Sequence, residues 1–327
     1  MSRSRGTWWR ALLAVAAVAG LAAATVWFAF PELVLQVANA HARRAAGLER
    51  RSVYVAGHHI VYLDGGTGTP VVLLHGFGAN KDLWDSVAAQ LTPHYRVIAP
   101  DLPGFGESPA VDGEKYDARS QAERVHALLT ALGVREHHIG GNSMGGLIAT
   151  IYTASYPANV RSLLISDAPG VRTPVVSEMR RLLAAGEVPF LVRDQADVDR
   201  LLELVLYQPP SIPGPIKRAI GEDAIRRRAT YERIWNDLGI VRPGADGVLE
   251  PLLPRIAVPT LVLWGEGDDL VDVSSADVFV RLLPNARKVI LEDCGHSPAW
   301  ECPSPMAQSY LAFLNSVSFT VEPVPAD

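Results

Sequence analysis

Short apolar runs recur along the chain, separated by longer stretches of helical spacing. Val53, Tyr54 and Val55 and then residues 60–63 flank Gly57, the pattern of a β-hairpin. Residues 71–74, 96–99, 138–140, 160–166, 260–264 and 288–291 are six further runs of strand length. They are almost continuously apolar, as strands buried on both faces are. Between them lie residues 81–91, 117–132, 147–152, 273–283 and 303–316, which repeat their apolar positions every three or four residues. In 117–132 these are Ala122, Val125, Leu128, Leu129 and Leu132, and Gly133 is placed to end the helix. Strands alternating with helices predict an α/β fold with a mainly parallel eight-stranded sheet covered on both faces.

Two segments break this rhythm. Residues 171–250 carry helical stretches near 176–186, 194–207 and 214–238, interrupted by Pro189, Pro209, Pro210, Pro213 and Pro215, and no strand pattern. An insertion of this length is a helical cap rather than a loop. Its apolar residues, among them Leu182, Leu183, Phe190, Leu201, Leu202, Val205 and Leu206, either line a pocket or pack helix on helix. The second is residues 11–30, which hold no charge and just span a bilayer core as a helix. Trp8, Trp9, Trp27 and Phe28 stand at its ends, where aromatic residues favour membrane interfaces. An uncleaved single-span anchor is expected. The alternative is a signal peptide cut near Ala22, Ala23 and Ala24, which would leave an apolar new terminus from Val26 to Phe30.

The expected partition is therefore 1–30 as anchor or signal peptide, 31–51 as a juxtamembrane segment, 52–170 with 251–316 as the α/β core, 171–250 as the cap, and 317–327 as a fraying tail. Residues 31–51 read as an amphipathic helix with Leu33, Val34 and Val37 on one face. Arg43, Arg44, Arg50 and Arg51 either meet anionic head groups or face solvent. Arg3, Arg5 and Arg10 compete with that cluster for the cytoplasmic side. The expectation is an inside N-terminus and a catalytic domain on the periplasmic or extracellular side.

Composition narrows the function. The 327 residues are 48% hydrophobic and 20% charged with a net charge of −5, so nucleic-acid binding has no electrostatic support. Two cysteines, Cys294 and Cys302, do not make a disulfide scaffold or a metal motif. Two separate thiols are expected, with a bridge as the lesser alternative. No metal-ligand spacing and no phosphate-binding lysine loop is found, and no cofactor is implied.

The chemistry centres on Gly141-Asn142-Ser143-Met144-Gly145, between an apolar strand and a helix. Glycines two residues either side of Ser143 let strand and helix cross closely, which exposes the hydroxyl at the sheet edge. A serine needs a base, and the base needs an orienting group. Asp268 and His296 supply them, each just after a predicted strand and in the order Ser, acid, His. Asp269, and more weakly Asp272, are rival acids; Glu266 is expected to be exposed. Backbone N–H groups of Met144 and Phe77 are the expected oxyanion donors, with Gly76 and Gly78 allowing close approach. His75 is expected to bond within its loop. His137 and His138 begin a strand, and His58 and His59 lie in the hairpin.

Together His75-Gly76-Phe77-Gly78, Asp101-x-x-Gly104-x-Gly106-x-Ser108, the Gly141–Gly145 elbow, Trp264-Gly265-x-x-Asp268 and Gly295-His296-x-x-x-x-Glu301-x-Pro303 resemble the α/β-hydrolase superfamily over about residues 52–316. Within it, Ala79, Lys81-Asp82 and Trp84, the stretch from Val271 to Asp277, Asp293-Cys294-Gly295-His296 and the N-terminal span are similar to membrane-anchored monoacylglycerol lipases and related bacterial lipases. The resemblance implies a serine ester hydrolase acting on lipid esters such as monoacylglycerols, with Ser143, Asp268 and His296 as triad and Phe77 and Met144 as oxyanion hole. Asn142 fits equally the carbon–carbon bond hydrolases of ring-cleavage products, the second reading, though these are normally soluble. Related dehalogenases and epoxide hydrolases use an aspartate nucleophile, which Ser143 disfavours. A non-catalytic membrane-tethered interaction protein is the third reading, opposed by the intact triad. The expected partners are a lipid or small-ester substrate and the membrane; oligomeric state is left open.

Overall fold

The computed structural model describes residues 5–209, 211–239 and 247–318. Helix α1 (Arg5–Ala29) and helix α2 (Pro31–Ala45) lead into strands β1 (Leu48–Val55), β2 (His58–Gly65) and β3 (Pro70–Leu74). A 3₁₀ turn (Lys81–Trp84) opens α3 (Asp85–Leu91), followed by β4 (Arg96–Pro100), α4 (Ala118–Ala131), β5 (His137–Asn142), α5 (Met144–Ser155) and β6 (Val160–Ser166). Helices α6 (Glu178–Ala184), α7 (Gln195–Val205), α8 (Gly214–Arg226) and α9 (Arg228–Leu238) separate β6 from β7 (Thr260–Gly265). The chain closes with α10 (Ser274–Leu282), β8 (Ala286–Leu291), α11 (Pro298–Glu301) and α12 (Pro303–Ser318).

The eight strands form one sheet in the order β1-β2-β4-β3-β5-β6-β7-β8. β2 pairs antiparallel with both its neighbours, and every pair from β4 to β8 is parallel. Side-chain alternation divides each central strand between two cores. Val72, Leu74, Ile98, Leu163, Ile165, Val262 and Trp264 join residues of α4, α5 and α10 on one face. Val71, Leu73, Val97, Leu164, Leu261 and Leu263 join Trp84, Val87 and Leu91 of the α3 region and Met306, Tyr310 and Phe313 of α12 on the other. Burial on both faces explains why these strands read as unbroken apolar runs.

The N-terminal region departs from expectation in one respect. The juxtamembrane helix stops at Ala45, and Arg50 and Arg51 lie in β1 instead. Strand β1 is an edge, and its run Glu49-Arg50-Arg51 is exposed, so charge rather than alternation marks it. Arg43, Arg50 and Arg51 also have protein partners. Arg43 grips Asp82 with a two-bonded fork at 2.5 and 2.6 Å, Arg50 reaches Glu107 at 2.6 Å, and Arg51 bonds Glu49 at 2.8 Å. From Trp8 to Ala29 helix α1 is long and apolar enough to cross a membrane, a property signal sequences share. Its Leu12, Leu13, Val15, Val18 and Leu21 are exposed around the helix. Among the described residues no protein surface covers them.

Candidate active site

The strand ends β3, β5, β6 and β7 meet along one sheet edge. At the end of β5, Ser143 takes φ 56° and ψ −121°, a backbone conformation non-glycine residues rarely adopt. The neighbours make this possible. A Cβ on Gly141 would overlap the backbone of Gly145, and one on Gly145 would overlap the carbonyl of Leu74 in β3. The Ser143 N–H donates to the Ser166 carbonyl at 2.8 Å, locking the turn to β6. Gly76 sits against the turn, where an added Cβ would lie 3.3 Å from that of Ser143.

Asp268 and His296 come together from the ends of β7 and β8. His296 Nδ1 lies 2.8 Å from Asp268 Oδ2, and both residues are buried. The other Asp268 oxygen accepts the N–H groups of Leu270 and Val271, each at 2.9 Å. Three donors fix this carboxylate, so the imidazole carries its proton on Nδ1. Nε2 is buried and has no hydrogen-bond partner among the described residues. No hydrogen bond joins it to Ser143 among the described residues, but a side chain ties the two loops. Asn142 Nδ2 donates to the His296 carbonyl at 2.9 Å. Asn142 is thus a strut between the elbow and the histidine loop.

The rival acids stand elsewhere. Asp269 and Glu266 are exposed, and Asp272 accepts the Ser274 N–H at 2.9 Å. His75 donates from Nδ1 to the Gly76 carbonyl at 2.7 Å and accepts the Leu102 N–H at 3.0 Å on Nε2. Both nitrogens are spent on structure, and burial lowers its pKa from the usual value, keeping it neutral. Neither the Phe77 nor the Met144 N–H has a hydrogen-bond partner among the described residues. The Phe77 ring packs against Phe105 at 5.3 Å and against Phe190, Tyr231 and Trp235 of the helical insertion at 5.3 to 5.5 Å. His137 and His138 are buried at the start of β5, the end opposite Ser143, and burial lowers each to about 4.

An ionic cluster built on the buried pair Lys81 and Asp101 backs the Phe77 loop. Lys81 donates from Nζ to Asp101 at 3.1 Å and Glu107 at 2.8 Å, while Asp101 also accepts the backbone of Lys81 and Glu107 at 2.7 Å. The hydrogen bonds from Lys81 and Arg50 hold Glu107 at about 2 against the opposing effect of burial. The sequence motif around Asp101 and Gly106 is explained here: a Cβ on Gly106 would overlap the Asp101 carboxylate.

Three features escaped the sequence reading. Cys294 and Cys302 are joined by a disulfide with Cα atoms 6.2 Å apart, not separate thiols. The single turn of α11 brings them to bridging distance, which sequence separation alone does not reveal. Glu301 accepts the N–H groups of Gly295, Ser297 and Tyr207 at 3.1, 3.3 and 2.7 Å, clamping the His296 loop to the end of α7. Asp167, buried at the end of β6, accepts the Gly265 N–H at 2.9 Å and the Ser166 hydroxyl at 2.6 Å.

Between the helical insertion and the core lies a cavity of about 730 Å³. Leu147 and Ile151 of α5, Leu270 and Val271 beside Asp268, and Met179, Leu183 and Trp235 of the insertion line it. Ser143 is not in the wall, but Leu147 follows it by one helical turn.

Residues 71–309 match the family model described as "Alpha/beta hydrolase family". The chain belongs to the alpha/beta hydrolase family. This hydrolase is 33% identical to Lipase 1 of Psychrobacter immobilis over 83% of its own length and 86% of the relative. It is 28% identical to monoacylglycerol lipase ABHD6 of Mus musculus over 94% of each chain. Among solved structures it resembles a membrane phospholipase A described as a bacterial virulence factor, with TM-score 0.85 and 42% identity over 94% of this hydrolase and 99% of that chain.

Proposed function

We propose that this hydrolase cleaves carboxylic esters of lipids, monoacylglycerols among them, through an acyl-enzyme on Ser143. The observation that carries the reading is the Asp268–His296 pair, whose free Nε2 stands in a loop strapped to the Ser143 elbow through Asn142. In this mechanism Nε2 takes the Ser143 proton as the hydroxyl attacks the ester carbonyl. Asp268 holds the Nδ1–H tautomer and stabilises the imidazolium. The Phe77 and Met144 N–H groups meet the developing oxyanion, and the N-terminus of α5 adds its positive dipole end. His296 then returns the proton to the leaving alcohol, and water repeats the sequence on the acyl-serine.

The cavity is within the size range of small-ligand sites and has an apolar wall, suited to an acyl chain. The lipase names of the relatives point the same way. Asn142, which fitted carbon–carbon hydrolases equally well, is engaged as a strut and argues for no substrate.

Residues 1–30 are read as an uncleaved anchor, with the α/β core at 52–170 and 251–316, the cap at 171–250, and the catalytic domain on the periplasmic or extracellular side. Arg43 of α2 grips Asp82, and Glu32 pairs with Arg226 of α8 at 3.1 Å, so the helix that follows residues 1–30 is fixed to the folded domain. The Cys294–Cys302 bridge suits an oxidising compartment. The test is a panel of monoacylglycerols of increasing chain length, a short p-nitrophenyl ester and a ring-cleavage dienoate, presented to full-length enzyme in detergent. Hydrolysis of the esters and not the dienoate is expected; the reverse preference would overturn the assignment.

A further inference from the structure

Asp268 and His296 stand on two loops, and both loops touch the segment that leaves α7. A Cβ on Gly267, one residue before Asp268, would lie 2.3 Å from the Tyr207 ring. One on Gly295, one residue before His296, would lie 2.6 Å from the Tyr207 nitrogen. Glycine at both places lets this part of the helical insertion press directly on the acid loop and the histidine loop. Hydrogen bonds fix the contact. The His296 N–H donates to the Val205 carbonyl at 3.0 Å. Glu301 supplies the rest. Its Oε1 accepts the N–H groups on either side of His296, Gly295 at 3.1 Å and Ser297 at 3.3 Å. Its Oε2 accepts the N–H groups of Tyr207 at 2.7 Å and Gln208 at 3.5 Å. One carboxylate thus joins the backbone around the histidine to the backbone of the insertion. Burial pushes the Glu301 pKa up, and these N–H groups oppose the rise by stabilising the charged form. The Cys294–Cys302 bridge ties the residue before Gly295 to the residue after Glu301, so the loop and its clamp form a closed ring.

We propose that Glu301 is a positioning residue for His296, carrying the grip of the helical insertion to the histidine loop and so setting where Nε2 stands relative to Ser143. This rests on the reading of Asp268 and His296 as the acid–base pair. A displacement of about 1 Å in a catalytic group can cost about a hundredfold in rate, and the N–H groups flanking His296 are what Glu301 holds against such a shift. None of Tyr207, Gln208, Gly295 and Glu301 lines the 730 Å³ cavity, so the effect falls on turnover rather than on substrate binding.

Glu301→Ala strands the Gly295 and Ser297 N–H groups and loosens the loop. On a p-nitrophenyl ester its kcat is expected to fall about tenfold to a hundredfold with KM within about threefold of the parent. Glu301→Gln offers one carbonyl oxygen to two sets of N–H groups, so its kcat should lie between parent and alanine variant. Tyr207→Pro cuts the link to the insertion while Glu301 stays. Leu206 is extended, with φ −112° and ψ 123°, the conformation proline favours in the residue before it. This variant should turn over at least about fivefold more slowly than Tyr207→Ala, which keeps the N–H, and it tests the link even if Glu301→Ala does not fold. Proton NMR reads the same geometry without substrate. The low-field Nδ1–H resonance of the His296–Asp268 bond should be sharp in the parent and broadened or lost in Glu301→Ala and Tyr207→Pro, as the loosened loop admits water. Folded Glu301 variants with parental kcat and resonance would overturn the proposal. A loss confined to KM or to melting temperature, or equal turnover in Tyr207→Pro and Tyr207→Ala, would overturn it as well. Hydrolysis persisting in folded Ser143→Ala would instead defeat the proposed function, and the resonance would still decide the role of Glu301.

Discussion

Replacing Asp268 by Asn has a cost that the hydrogen-bond geometry constrains. Oδ1 is held by the N–H groups of Leu270 and Val271, and Oδ2 faces His296 Nδ1 at 2.8 Å. An Asn in the same rotamer keeps its carbonyl on the two backbone donors, which turns its NH2 toward Nδ1. An NH2 donates, so Nδ1 must accept and the imidazole proton moves to Nε2. That is the atom required to take the proton from Ser143. A wrong-tautomer serine hydrolase with intact geometry loses about 10⁴ in kcat, or about 5 kcal/mol of barrier. Rotating the amide restores the tautomer but sets an NH2 against two buried N–H donors, each stranded at about 1–3 kcal/mol. A penalty of roughly 2–6 kcal/mol leaves a few per cent of active rotamer at most, since each 1.4 kcal/mol is a factor of ten. The predicted loss in kcat therefore falls between about thirtyfold and 10⁴. Steady-state hydrolysis of a short p-nitrophenyl ester measures it, beside Asp269→Asn, whose exposed side chain should cost less than about twofold. Near-parental turnover in Asp268→Asn, or a large loss confined to Asp269→Asn, would refute the reasoning.

Two other perturbations probe the scaffold. His137 and His138 sit at about 4 in the fold against an ordinary 6.5, so both are neutral when folded and take up protons when unfolded. Their stabilising effect is complete above pH 6.5 and is lost as pH falls toward 4, by up to about 3 kcal/mol each, so the urea midpoint should drop steeply over that window; a midpoint flat between pH 7 and 4.5 would contradict this. Gly145→Ala forces a methyl into the Leu74 and His75 carbonyls, backbone that cannot move without shifting β3. A stability loss of about 1–3 kcal/mol or more is expected, with activity falling alongside; a melting temperature and kcat equal to the parent's would show that the elbow is looser than described.

Much of this architecture is written locally in the chain. Strands such as 71–74 and 260–264 are apolar throughout because both their faces are covered, and the positions just after them mark the sheet edge where Asp268 and His296 stand. What local pattern does not carry is who meets whom across the sheet. Asp167 looks like any polar residue closing a strand until β6 and β7 are paired, which brings its carboxyl group to the Gly265 N–H at 2.9 Å. The Cys294–Cys302 bridge depends on the turn of α11, and the grip of Glu301 on Tyr207 depends on where α7 ends. A charged edge strand shows neither helical nor alternating periodicity, so only the pairing with β2 places Arg50 and Arg51 in a strand. Asn142 shows the same limit at the centre of the site. Its identity is consistent with two chemistries, and its contact with the His296 carbonyl gives it a structural task in either.

The central claim is that Ser143 is the nucleophile. Full-length enzyme in detergent, treated with a fluorophosphonate and digested, should carry one adduct, on the peptide containing Ser143, with ester hydrolysis lost in step with labelling. Ser143→Ala should be folded, unlabelled and inactive. An adduct on another residue, or hydrolysis that persists in the folded alanine variant, would contradict the account.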